Sequence, residues 1–247
     1  MAMEVDIITR NFFRMMRSGA LNEYVNLEPM SDFKWQRLVE IIKSEDVAGV
    51  ASRAVKNQQY ENKFNMPHHL REEIHMEAGK NTVQNIRPEI ENPILNKKRN
   101  KLYNIEKHSN DYSKETLDLF NILIANCHAI LNKGTSTRLI IRLGNYIRIN
   151  NSKINYTKID IWLRELQMQK VAQLLGSILI SNFSFTQSEL PFVKKIDSKA
   201  ATLMMQSIMQ RRKVKHNKGI TYFEYAPLEN ASILISRLKT RLETIEE

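Results

Sequence analysis

The sequence has few of the residues that make tight turns. Its 247 residues include only seven glycines and six prolines, whereas sandwiches and barrels need many such turns. The apolar fraction of 42% is ordinary for a chain with a hydrophobic core. The scarcity of turn residues therefore argues against an all-β fold and favours helices joined by short connections.

Cysteine is also scarce. Cys127 is the one cysteine of the sequence, so an intrachain disulfide and a site with four thiolate ligands are both excluded. A chain without disulfides suits a reducing compartment. The first residues are acidic where a signal peptide would be basic, and the most apolar stretch, 174–180, is too short to span a bilayer. The sequence therefore predicts a cytoplasmic protein with no membrane association.

Positive charge is abundant. The formal net charge of +10 favours polyanionic or acidic partners. Aromatic residues follow the densest basic run. Basic residues beside aromatic ones are typical of surfaces that bind single-stranded nucleic acid. The run consists of Arg211, Arg212, Lys213, Lys215 and Lys218. Nucleic-acid binding near 211–218 is one hypothesis, and a solvated helix end is the other interpretation of the same residues.

The first part of the chain has the periodicity of short amphipathic helices. Gly19 is expected to end the first of them. Another helix is predicted from His68 to about Ile86. We assign residues 1–87 to an N-terminal helical region.

Residues 88–112 differ in composition from their surroundings. Apolar residues become rare while Asn and Lys accumulate, which predicts a polar connecting segment that is partly helical. The helical periodicity returns over 113–247, where Asn155 or Thr157 and Ser198 are expected to begin helices. The last helix, 228–246, has Leu234, Leu238, Leu242 and Ile245 on one side.

The alternation of residues 220–225 predicts at most one minor strand or hairpin. The overall prediction is an all-α, multi-helix bundle. Its N-terminal and C-terminal helical regions form one compact unit or two helical lobes.

A cluster of histidines and glutamates near residue 70 has the composition of a metal site. On a helix, His68, Glu72 and His75 share one face, and imidazole and carboxylate groups are ligands for divalent transition metals. The spacing is not His-Glu-x-x-His, and the sequence offers no fourth ligand. A polar first helical turn beside a linker is the alternative interpretation.

Two further patterns resemble catalytic pairs. Arg211 and His216 have the Arg-x4-His spacing of helical HEPN ribonucleases, but Arg212 stands where that family has a polar, non-basic residue. Cys127 and His128 are neighbours, and neighbours on a helix point about 100° apart, so they do not form a nucleophile–base pair. The chain has no Gly-rich phosphate loop and no nucleophile elbow. We therefore predict no catalytic residue and no cofactor, with a metal-dependent or HEPN-like hydrolase as an alternative.

Several segments between Cys127 and Val193 follow one another in a recognisable order. They are His128 on a helix, Thr137-Arg138-Leu139, Ile159-Asp160-Ile161-Trp162 and the closing Leu190-Pro191-Phe192. This order resembles the C-terminal helical part of an uncharacterised bacterial nucleotidyltransferase family. Phe12-Phe13-Arg14 and Trp35 are similar to the opening helices of that family.

The resemblance implies a catalytic core that the sequence does not contain. The resemblance implies a Gly-Ser segment followed by two carboxylates spaced Asp-x-Asp, which hold divalent metal against the triphosphate. No Asp-x-Asp occurs in the chain. The nearest imitation is Gly134-Thr135-Ser136 with Asp160, where Trp162 stands in place of the second carboxylate. The resemblance therefore predicts a non-catalytic helical protein that acts through a protein partner, as a substrate-positioning subunit, or by self-association.

Overall fold

The computed structural model describes residues 6–58, 61, 63–80, 88–133, 136–209 and 223–246. Within these ranges the chain forms α-helices and short 3-10 helices and no strand, which confirms the all-α prediction. The α-helices are α1 Ile7–Leu21, α2 Asp32–Ser44, α3 Ala48–Gln58, α4 His68–Gly79, α5 Pro93–Lys107, α6 Lys114–Lys133, α7 Thr137–Asn150, α8 Tyr156–Glu165, α9 Gln169–Phe183, α10 Ser198–Met209 and α11 Pro227–Glu246. None of the described helices is both long enough and apolar enough to cross a membrane.

The chain divides into two compact units, Met1–Asn85 and Ile86–Glu247. The first unit contains α1–α4, and the second contains α5–α11. Helix α5 occupies much of the range that the sequence predicts as a polar connection. It buries only Leu95 and Glu106, and this small buried surface explains why its sequence has the composition of a solvated segment.

Helices α1 and α3 pack closely in the first unit. A Cβ atom on Gly19 would lie 1.9 Å from the carbonyl oxygen of Val50, and Arg53 Nε donates to the carbonyl oxygen of Gly19 at 2.7 Å. Helix α1 continues past Gly19 to Leu21 and is followed by Asn22 with a left-handed φ of 53°. The prediction that Gly19 ends this helix is wrong, because close contact with α3, and not a left-handed cap, requires the glycine.

Side-chain caps mark the starts of α8 and α10 in the second unit. Asn155 caps α8 by accepting the backbone N–H of Lys158 at 3.1 Å, which confirms one of the two predicted starts. At α10 the carboxylate of Asp197 accepts the backbone N–H of Ala200 at 2.9 Å. The N-terminal cap of α10 therefore belongs to Asp197, one residue before the predicted Ser198.

The strand predicted for residues 220–225 is not extended where the structure describes it. Phe223–Tyr225 form one turn of 3-10 helix, and residues 220–222 lie outside the described ranges. A single short strand has no stability of its own in water. The described part of the chain contains no strand with which this segment could pair. Its alternation of apolar and polar residues therefore does not produce a strand at 223–225.

Glu28 ties the segment after α1 back onto that helix. Its carboxylate accepts hydrogen bonds from Arg10 at 2.9 Å and forms an ion pair with Arg14 at 2.7 Å. The side chain of Asn11 accepts the backbone N–H of Glu28 and donates to its carbonyl oxygen. The hydrogen bond from Arg10 is the main cause that lowers the pKa of Glu28, opposed by desolvation.

We expect the Glu28 carboxylate to make the stability of the first unit depend on acid pH. Because the pKa is lower in the folded state, the stabilisation is present above the unfolded pKa and is lost as the pH falls through the folded pKa. Glu28→Gln should flatten this acid limb by less than about 1 kcal/mol, since the pair is partly exposed. Urea unfolding at a series of pH values measures the effect, and Arg10→Gln should flatten the same limb. Parallel pH profiles for wild type and Glu28→Gln would contradict the assignment.

Candidate functional site

The residues predicted as metal ligands are not assembled into a ligand set. His68 Nε2 lies 4.0 Å from Glu72 Oε1, and the side chain of His68 is 85% exposed. His75 Nδ1 lies 2.7 Å from Ser52 Oγ of α3. Among the described residues, no group of three His, Cys, Asp or Glu side chains is placed to hold a metal ion. His75 is turned toward α3, so its contact joins α3 and α4.

The basic run of Arg211, Arg212, Lys213, Lys215 and Lys218 lies outside the described residues, as does His216 of the Arg-x4-His pattern. Gly134 and Thr135 of the Gly-Thr-Ser segment also lie outside them. Asp160 is the carboxylate that the sequence comparison combines with the Gly-Thr-Ser segment. It forms ion pairs with Lys194 at 3.1 Å and Arg164 at 3.0 Å. The hydrogen bond from Lys194 is the main cause that lowers the pKa of Asp160. The structure therefore gives this carboxylate a role in a surface ion-pair network.

The C-terminal segments of the resemblance lie within the second unit, whereas Phe12-Phe13-Arg14 and Trp35 lie in the first. The ring of Phe192 stacks on Tyr156 with centroids 6.2 Å apart, and burial raises the pKa of Tyr156 to about 12. A Cβ atom on Gly176 would lie 2.1 Å from Cγ2 of Val193. These contacts give the Leu-Pro-Phe segment a structural role, in which it covers α8 and α9.

Helix α11 is anchored by a buried carboxylate. Glu229 is 1% exposed and accepts the backbone N–H groups of Glu91 at 2.7 Å and Asn92 at 3.0 Å, at the start of α5. The side chain of Asn92 also donates to Ser232 Oγ at 2.9 Å. Burial raises the pKa of Glu229, while the two backbone hydrogen bonds act in the opposite direction. One face of α11 is thereby fixed to the rest of the second unit.

The opposite face of α11 is apolar and exposed. Leu228, Ile235 and Leu238 are 42%, 55% and 59% exposed. With Ala231 they recur at spacings of three and four residues, so they form one stripe along the helix. At 3.6 residues per turn this stripe lies roughly opposite the face that contains Glu229. We call Leu228, Ala231, Ile235 and Leu238 the α11 stripe.

A cleft of about 290 Å³ lies beside α6 and α7 of the second unit. Its walls combine apolar side chains with polar side chains of several chemical types. The apolar lining is Pro88, Ile122, Ala125 and Leu139, and the polar lining is Asp118, Asn121, Arg142 and Tyr146. The α6 residues of this set share one helix face, as do those of α7, because their spacings are three, four and seven. We call this feature the α6/α7 cleft.

The polar groups of the α6/α7 cleft differ in how they are partnered. The hydroxyl of Tyr146 donates to the carbonyl oxygen of Glu115 at 3.2 Å and lies 3.5 Å from Asp118 Oδ2. Burial, followed by the charge of Asp118, raises the pKa of Tyr146, so the phenol is a hydrogen-bond donor at neutral pH. Arg142 forms no ion pair or hydrogen bond with any residue that the structure describes. Within the described part of the chain, its guanidinium is therefore a cation at the cleft without a counter-ion.

The sequence pattern does not distinguish the polar residues of the cleft from ordinary surface positions. Asp118, Asn121, Arg142 and Tyr146 are polar positions within helices whose apolar residues set the periodicity, and such positions ordinarily face solvent. These residues recur about once per helical turn on the two helix faces that line the cleft. This arrangement is apparent only when α6 and α7 are packed together. The i, i+3 and i, i+4 spacings are the only signal that the sequence carries.

Comparisons with known proteins give no relative for this chain. No family model matches it, and neither the curated proteins nor the solved structures contain a match. The resemblance to nucleotidyltransferases therefore stays a prediction. The α11 stripe and the α6/α7 cleft are the two surfaces of the second unit that bear on function.

Proposed function

We propose that this protein acts by binding a protein partner, and that the partner at the α11 stripe is a second copy of the same chain. The observation that carries the proposal is the pair of opposite faces on α11. One face is buried around Glu229 and Ile233, while Ile235 and Leu238 of the other face are exposed. A helix that only covers a core presents polar residues to water, and contiguous exposed apolar surface is typical of protein interfaces.

The spacing of the α11 stripe is that of a coiled-coil seam. Leu228, Ala231, Ile235 and Leu238 occupy successive a and d positions of a heptad, and the sequence continues the pattern at Leu242 and Ile245. A β-branched residue at a followed by Leu at d, as in Ile235 and Leu238, favours two parallel strands. An identical helix supplies the matching seam, which supports a symmetric pair of chains.

Charges beside the seam support the same partner. Continuing the heptad along the sequence assigns Arg241 to a g position and Glu246 to the following e position. Residues at g and at the next e position face each other between parallel helices, and their charges set partner choice. Lys239 at the preceding e position faces Leu234 at g, where a lysine stem covers apolar surface while its ammonium group stays in water.

This proposal keeps the sequence-based prediction of a non-catalytic protein that works through association. Its finer form is a substrate-positioning subunit beside a separately encoded nucleotidyltransferase, and that form rests on the family resemblance alone. The basic run at 211–218 does not enter the proposal, because it lies outside the described residues. Nucleic-acid binding is nevertheless distinguishable by experiment.

We expect the full chain to sediment as a dimer at micromolar concentrations and the double variant Ile235→Asp/Leu238→Asp to sediment as a monomer. Two buried carboxylates without partners in an apolar seam should weaken association at least about tenfold, which corresponds to about 1.4 kcal/mol. Ser236→Asp is the matched control, because Ser236 is exposed on the same helix and lies off the stripe. A wild type that stays monomeric, or a double variant that dimerises like wild type, would overturn the proposal.

Ionic strength separates this proposal from nucleic-acid binding. Two chains that each carry a net charge of +10 repel each other, so added salt should tighten a dimer held by an apolar seam. Binding to nucleic acid through the basic run should instead weaken steeply with salt. Sedimentation of the protein alone and fluorescence titration with a labelled single strand, each at low and high salt, measure the two effects.

A further inference from the structure

The α6/α7 cleft carries one cation and one carboxylate that do not neutralise each other. Asp118 is on α6 and Arg142 is on α7, and Arg142 has no ion pair within the described residues. The contact between the Tyr146 hydroxyl and Asp118 Oδ2 shows that the carboxylate lies beside Tyr146 of α7. Arg142 lies four residues before Tyr146, so its backbone is about one turn along α7 from that contact.

A polar neighbour strengthens the cationic end of the cleft. Asn121, one turn along α6 from Asp118, has its Oδ1 atom 3.5 Å from Nη2 of Arg99. This contact engages the amide oxygen of Asn121 and leaves its NH2 group as a donor. An anionic group at this level of the cleft would meet the guanidinium of Arg142 and the amide of Asn121, which is a charge-assisted arrangement of donors.

The remaining wall of the cleft is apolar and the space is small. Ile122, Ala125 and Leu139 are buried and line it beside Pro88. Pockets for small molecules have volumes of about 300–1,000 Å³, and the volume of about 290 Å³ is at the lower limit of that range. The cleft therefore suits a ligand with one compact apolar group and few polar atoms.

We infer that the α6/α7 cleft binds a small zwitterion of the α-amino-acid class with an apolar or aromatic side chain. Its carboxylate would contact Arg142 and Asn121, its ammonium group would contact Asp118, and its side chain would pack on Ile122 and Leu139. A ligand with both charges matches both fixed charges of the cleft. A phosphate ester would leave Asp118 facing an anion, and a simple amine would leave Arg142 facing a cation, so the observed pair of charges disfavours both.

The test compares three related probes on the full-length chain. L-phenylalanine carries both charges, phenylpropionate lacks the ammonium group, and phenethylamine lacks the carboxylate. We expect titration by NMR to show that L-phenylalanine binds at least about tenfold more tightly than either analogue, since each lost charged contact removes a charge-assisted hydrogen bond. Equal affinity for the three probes, or no binding of L-phenylalanine at millimolar concentration, would overturn the inference.

Substitutions locate the binding in the cleft. Arg142→Gln should weaken L-phenylalanine at least about tenfold, whereas Arg164→Gln, a surface arginine of α8 outside the cleft, should leave the affinity unchanged. Asp118→Asn should lower the affinity for L-phenylalanine to that for phenylpropionate, a change of specificity that loss of folding does not produce. Unchanged binding in both cleft variants would place the ligand elsewhere and contradict the inference. Sedimentation of Arg142→Gln should still show the dimer, so failure of the α11 proposal and failure of the cleft proposal are separate results.

Discussion

Gly19→Ala is expected to destabilise the first unit by about 3 kcal/mol, the upper end of the usual cost of overpacking. The added Cβ would lie 1.9 Å from the carbonyl oxygen of Val50 and 2.9 Å from its carbonyl carbon. Both atoms belong to the backbone of α3, so no change of side-chain rotamer relieves the overlap. The gain of about 1 kcal/mol from replacing glycine by alanine within a helix is smaller than this cost.

The two tryptophans of the chain allow the unfolding of each unit to be measured separately. Trp35 lies in the first unit and Trp162 in the second, and both are buried. Fluorine NMR of fluorotryptophan-labelled full-length protein in urea should show the Trp35 signal change at lower urea in Gly19→Ala, while the Trp162 signal keeps its own midpoint. Unchanged midpoints for both signals would show that α1 and α3 tolerate the extra atom.

Gly79→Ala is the matched control for this substitution. Gly79 is the last residue of α4, and a Cβ there would have no atom within 4 Å. The substitution should therefore be neutral or stabilising by up to about 1 kcal/mol. If both alanine variants lost stability equally, the loss would come from the backbone and not from the contact between α1 and α3.

Gly19 also shows what the sequence can and cannot predict about this fold. Apolar periodicity predicts the presence of the helices, because the spacing of apolar residues along one helix face is a local property of the sequence. Whether a glycine ends a helix or allows a second helix to approach depends on which faces meet, and that is a tertiary property. The same limit applies to α5, which makes few buried contacts and therefore has little apolar periodicity to detect.

The candidate surfaces are subject to the same limit. Leu238 fits the apolar periodicity of the last helix, but periodicity does not tell which apolar residues face the core and which face water. The structure places Glu229 and Ile233 inside and Leu238 outside. The same limit explains why the described structure does not bring the predicted metal ligands together. His75 shares a helix face with His68 in the sequence pattern, yet it makes its contact with Ser52 of another helix.

Lys158→Met is expected to cost the second unit about 3–5 kcal/mol, the usual loss when one partner of a buried ion pair is removed. Glu106 is 3% exposed, and its two carboxylate oxygens accept hydrogen bonds from Lys158 Nζ at 2.9 and 2.8 Å. Desolvation alone would lower the pKa of Lys158, but its hydrogen bonds to Glu106 and Asp111 outweigh this effect and raise it. The lysine is therefore charged at neutral pH, and its removal leaves a buried carboxylate without a counter-ion.

Two further variants separate the loss of the ion pair from the loss of the lysine stem. Lys158→Met/Glu106→Gln replaces both charges by neutral groups and should recover most of the stability, because a buried ion pair adds little beyond a well-packed neutral pair. Lys153→Met, which removes an exposed partner 3.9 Å from Glu115, should change stability by less than about 1 kcal/mol. The Trp162 signal in urea measures all three variants. A double variant as unstable as Lys158→Met would contradict this explanation. The loss of stability would then come from the missing packing of the lysine stem and not from the unpaired charge of Glu106.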